Sequence, residues 1–167
     1  MLPEFQSIYD LKIKSLHRIY WEDINNLYDE SLHGEFLNIK FFVPTSKIEG
    51  FIEVFLTEKI HFASLDEFMM VASLISNQDS LEVYRDTIEK YHKTSARPRD
   101  LIFRFKQYFK DYVATLQEEL IDALSESGFF DISKFEKAIL LIDKWNDHHY
   151  MIETTSHYIS YQWMTSA

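Results

Sequence analysis

The chain has no cysteine, only three glycines and three prolines, and no stretch approaching 18 consecutive apolar residues. Without cysteine there is no disulfide, no thiolate metal cluster and no thiol nucleophile. Three glycines leave little from which to build a glycine-rich phosphate loop, and no Ser-His-Asp motif stands out, so the expectation is a protein that is not an enzyme. So few turn-formers argue against a many-stranded sandwich or barrel and for long helices. No segment is apolar enough for a membrane span. Residues 1–20 lack the apolar core of a signal peptide, which points to a cytoplasmic protein. Basic charge is scarce as well. Lys and Arg total 17 against 27 Asp and Glu, a formal charge of −10. That field repels phosphate backbones and anionic lipid, so neither nucleic acid nor a membrane surface is an expected partner.

What is present is bulk. The 167 residues read as a single domain, 1–167, with 46% hydrophobic and 16% aromatic residues. The N-terminal segment from Glu4 to about Leu32 has helical periodicity, and Gly34 suits its C-cap. A short element over 35–43 stops at Pro44. Three Ser-x-x-Glu capping boxes stand at plausible breaks: Ser46–Glu49, Ser64–Glu67 and Ser133–Glu136. They predict helices over 46–61, 64–76 and from 133 to the region of Trp163, with a further short helix over 80–92. Pro98 opens a long stripe (Leu101, Phe105, Tyr108, Tyr112, Leu116, Leu120, Leu124) that Gly128 ends. The expected fold class is therefore all-α.

Several patterns invite a chemical reading. Glu30-x-x-His33 and Glu89-x-x-His92 have di-iron spacing, but chance supplies about 0.6 such pairs in a chain of this composition. His149, Glu153 and His157 fall at i, i+4, i+8, one face of the predicted last helix, where a solvated polar stripe is the plainer reading. Arg85-Asp86 and His92 have the arginine-to-histidine spacing of helical HEPN ribonucleases, which the acidic charge disfavours.

The run Ile88-Glu-Lys-Tyr-His92-Lys-Thr-Ser-Ala-Arg97-Pro98, continuing through Leu101, Phe105 and Phe109, resembles the F-helix to G-helix passage of globin sensor domains. The segments Leu141-Ile-Asp143-Lys-Trp145 and Ser160-Tyr-Gln-Trp163 are similar to the last helix of the non-haem members of that family, which head stressosome proteins and some Bacillus sporulation kinases. The resemblance implies a globin-like fold of six to eight helices and a free-standing sensor. Such a sensor binds a fatty acid or similar apolar ligand, and inhibits sporulation by diverting the signal of a sensor histidine kinase. The last two predicted amphipathic helices carry more apolar surface than one monomer needs, so the expectation is a homodimer through them, as a four-helix bundle.

On that reading Phe51, Phe55, Phe103, Phe105 and Phe109 wall a tunnel, with His92, Lys93, Arg97 and Arg99 at its mouth for the ligand carboxylate. No resident cofactor is expected. The alternative is haem, with His92 as axial ligand and His61 facing it. A second alternative is an acidic interaction protein of the immunity or anti-defence type, using its charge to cover a basic partner.

Overall fold

Among the described residues, short β-rich runs alternate with three amphipathic helices. The computed structural model describes residues 32–36, 38–43, 50–77, 94–109 and 117–165. Seven strands are present: β1 (Leu32–Phe36), β2 (Ile39–Val43), β3 (Gly50–Glu58), β4 (Thr94–Ser95), β5 (Phe135–Lys144), β6 (Asp147–Thr154) and β7 (His157–Thr165). They form one antiparallel sheet in the order β1-β2-β3-β7-β6-β5-β4. Two meanders, β1-β2-β3 and β5-β6-β7, meet at the β3–β7 seam, where Gly50 opposes Thr165 and Glu58 opposes His157. The helices are α1 (Leu65–Asn77), α2 (Pro98–Phe109) and α3 (Gln117–Ser127).

The sheet carries a core on each face. α1 packs on one, with Phe41, Phe55, Phe68, Met69, Met151 and Tyr158. α2 and α3 pack on the other, with Val54, Leu101, Phe105, Leu124, Phe129 and Tyr161. Alternation along each strand sends successive side chains to opposite faces. Thus Phe55 belongs to the α1 side, while Val54 and Leu56 belong to the α2–α3 side.

This architecture corrects the all-α, globin-like expectation. The short element expected over 35–43 is instead the end of β1 and β2, residues 50–58 of the helix expected over 46–61 are β3, and the predicted last helix is the β5-β6-β7 meander. The physical reason is double burial. Residues 52–57 are all buried, so polar-apolar alternation is lost and the run imitates a buried helix. The stripe Ile139, Ile142, Ile152, Ile159 has helical spacing by coincidence. Ile139 packs on the α1 side, Ile152 and Ile159 on the other. With three strands over 135–165, the expected C-terminal four-helix dimer bundle lacks the last of its two helices per chain.

Other expectations hold. The Ser64 hydroxyl accepts from the Glu67 amide at 3.1 Å, and the Glu67 carboxylate accepts from the Ala63 amide at 2.9 Å, opening α1 where the capping box placed it. Pro98 opens α2. Gly128, at φ +84°, ends α3: its amide reaches Ser125 O and the Phe129 amide reaches Leu124 O, a Schellman closure. The third box is displaced. Asp131, not Ser133, caps a single 3₁₀ turn, Ile132–Lys134, before β5 begins. The expected helices before residue 32 and over 80–92, and the box at Ser46–Glu49, lie outside the described residues. No helix among the described residues is long and apolar enough to cross a membrane.

Candidate functional site

One concavity among the described residues lies on the α3 side of the sheet, toward the end where β3 finishes and β7 starts. A cavity of about 140 Å³ is lined by Glu35, Asn38, Lys40, Leu56, Thr57, Glu58, His61, Ala123, Glu126 and His157. Strand register explains the gathering. Lys40 lies opposite both Glu35 and Leu56, and Glu58 lies opposite His157. Asn38, at φ 65°, forms part of the reversal between β1 and β2, and its carbonyl accepts from the Thr57 hydroxyl at 2.7 Å. α3 lays Ala123 and Glu126 over the strands, and the 3₁₀ turn Lys59–His61 brings His61.

Three carboxylates therefore converge from β1, β3 and α3 on one cationic lysine and two imidazoles. His157 is half-buried. Burial pushes its imidazole below the ordinary value; Glu58 and Glu126 oppose that effect and Lys40 reinforces it. Its Nδ1 lies 2.7 Å from Ser156 Oγ. The lining is mixed, with Leu56 and Ala123 among mostly polar and charged side chains. Its chemistry suits a cationic guest held by carboxylates, not a hydrocarbon chain.

Two other polar groups serve the framework. On the α2 side, Arg104 donates to the Tyr150 hydroxyl at 2.8 Å and lies 3.9 Å from Asp143, which is 3.3 Å from His148 Nε2. The His148 ring stacks on Trp163. On the α1 side, His149 Nε2 lies 2.9 Å from Ser160 Oγ, and the Gln162 amide donates to Asp147 at 3.1 Å. Burial pushes His149 down to about 4, so its ring is neutral at pH 7. The Ser160–His149 pair resembles a nucleophile and its base in spacing. But Ser160 is buried in the row of Phe55 and Met151, under the α1-side core. It ties β6 to β7.

The residues expected to bind a ligand are scattered. His92, Lys93 and the Arg85-Asp86 pair lie outside the described residues. Arg97 precedes α2 and Arg99 sits in its first turn, both exposed. Phe103 is exposed on α2, and Phe109 is that helix's last residue. Phe55 and Phe105 are buried on opposite faces of the sheet, so the two do not wall one tunnel. His61 alone of the expected set lines the cavity. His149 and Glu153 share a sheet face and His157 takes the other, which dismantles the expected helical stripe; no group of three His, Asp or Glu among the described residues could hold a metal ion.

Glu35, Lys40, Glu58 and Glu126 escaped sequence reasoning because only strand pairing and the packing of α3 on the sheet unite them. Comparison with family models, with curated proteins and with solved structures finds no match to this chain.

Proposed function

We propose that the chain is a non-catalytic, acidic binding module whose partner is a basic protein surface, met along α3 and the groove beside it. The observation that carries this reading is the make-up of α3. Every charged residue on it is an acid, and Glu118, Glu119, Asp122 and Glu126 are all exposed. Glu126 leads directly into the groove, where Glu35 and Glu58 extend the acidic surface across two strands. With a net charge of −10, long-range attraction steers a basic partner in, and the aligned carboxylates set where it lands.

The test is calorimetric titration with an octapeptide of alternating Arg and Gly. Binding at 50 mM salt should weaken about tenfold at 300 mM, because exposed charges are screened beyond a few ångströms. Neutralising α3 (Glu119→Gln, Asp122→Asn, Glu126→Gln) should abolish most binding. A variant of equal net charge (Asp66→Asn, Asp100→Asn, Asp143→Asn) should retain it. Equal losses in both variants would reduce the effect to net charge and sink the reading. A fatty acid remains testable on the same preparation: stoichiometric fatty acid in an organic extract would favour the sensor reading over this one.

A further inference from the structure

The end of the sheet beside the groove carries a second kind of surface. Three loops lie there side by side. The backbone amide of Lys59 donates to Ser156 O at 2.9 Å, and the amide of Thr155 donates to Lys134 O at 2.9 Å. The β6–β7 turn is thus flanked by the 3₁₀ turn Lys59–His61 on one side and the 3₁₀ turn Ile132–Lys134 on the other. Each flanking turn offers a large apolar side chain to solvent: Ile60 is 82% exposed and Ile132 is 47% exposed.

The platform beneath them is stapled. Lys59 Nζ bonds Glu136 at 2.8 Å, approaches Glu153 at 3.6 Å and lies over the Tyr158 ring. The hydrogen bond to Glu136 raises the Lys59 ammonium above its ordinary value. Lys59 is engaged in that staple; of the other charges here, Glu35, Glu58, Glu126 and Asp131 outnumber Lys40 and Lys134.

Isolated exposed apolar residues are ordinary on a protein surface. Two on turns either side of the β6–β7 turn, fixed by backbone bonds and bordered by a carboxylate-lined cavity, make a pattern of apolar anchors with a charged socket. We infer that this end face is the docking surface for a basic protein segment, with Ile60 and Ile132 each packing against one of its apolar side chains while a neighbouring Arg or Lys enters the groove, where Glu35, Glu58 and Glu126 outnumber Lys40. Charge complementarity selects this occupant: a second copy of this acidic chain would set carboxylates against carboxylates. The inference rests on the binding reading above and adds an apolar requirement and a location.

Two octapeptides of equal charge test it, one alternating Arg and Gly, the other Arg and Leu. The Arg-Leu peptide should bind the intact chain about fivefold more tightly. Ile60→Ala, a change at an exposed position that leaves the cores untouched, should erase that advantage while the Arg-Gly affinity stays the same. Amide shifts on adding Arg-Leu should concentrate at residues 58–61, 126, 131–134 and 155–157. Equal affinities for the two peptides, an unchanged preference in Ile60→Ala, or shifts centred on Glu118 and Glu119 would each overturn the docking inference while leaving the acidic module intact. Failure of both peptides to bind would overturn both.

Discussion

Single residues here are readable mainly through what surrounds them. His149 is the clearest case. Its ring faces the α1 side with a hydroxyl neighbour, and burial holds its pKa at about 4 against an ordinary 6.5. The unfolded chain takes up that proton below pH 6.5 while the folded chain resists until about pH 4. Stability from this group is therefore complete above pH 6.5 and declines as pH falls toward 4. The loss is roughly 3 kcal/mol over that window. Burial shifts His148 and His157 downward too, adding in the same direction. Urea titrations at pH 7, 5.5 and 4 should show the decline, and His149→Gln should flatten it. An unchanged slope would mean the ring is already hydrated. None of this was legible beforehand. His149 looked like one member of a helical metal stripe, and its partner Ser160, 11 residues on, comes close only once β6 pairs with β7.

At the level of elements, chain termination was written more plainly than chain conformation. Capping is local: Ser64, Pro98 and Gly128 act within a turn of themselves, and each works as its residue type predicts. Ser64→Ala should cost about 1 kcal/mol by removing the acceptor for the Glu67 amide. Gly128→Ala should cost about 1–2 kcal/mol through its left-handed backbone, and more where the new Cβ meets Lys134 carbons at 3.1 Å. Equilibrium denaturation should show the two losses adding, since the sites lie on different helices against different sheet faces. Additivity failing by more than about 0.5 kcal/mol would mean the two helices are coupled. Strands were the failure. Their apolar runs, such as Ala138 to Ile142, are short and covered on both faces, so they lack the alternation that marks a half-exposed strand. The Ser133–Glu136 box misled for a related reason. A capping pattern states that a turn begins, and here only one 3₁₀ turn follows before β5. The groove inherits this opacity, because Glu35, Lys40, Glu58 and His157 converge through register alone.

For the molecule as a whole, the sheet acts as a wall between two aromatic cores. Phe68 meets Phe62 and Tyr158 on one side; Phe105 meets Phe129, Phe130 and Tyr161 on the other. Each Phe→Ala change should cost about 3–5 kcal/mol. Phe→Leu is milder and better suited to a cycle: the Phe68→Leu and Phe105→Leu losses should sum to within about 0.5 kcal/mol, and a larger interaction term would reveal strain passed through β7. The acidic charge, legible from composition alone, belongs to this scale as well, and it is the property on which the binding reading draws. The seam between β3 and β7 has a consequence for biosynthesis. Its pairs join residues 99 positions apart at Glu58–His157. On a ribosome adding about 5–20 residues per second, β3 emerges roughly 5–20 s before the neighbour that covers its edge. Through that interval the nascent β1-β2-β3 meander presents a bare, apolar strand to solvent. Its survival depends on a chaperone or on speed.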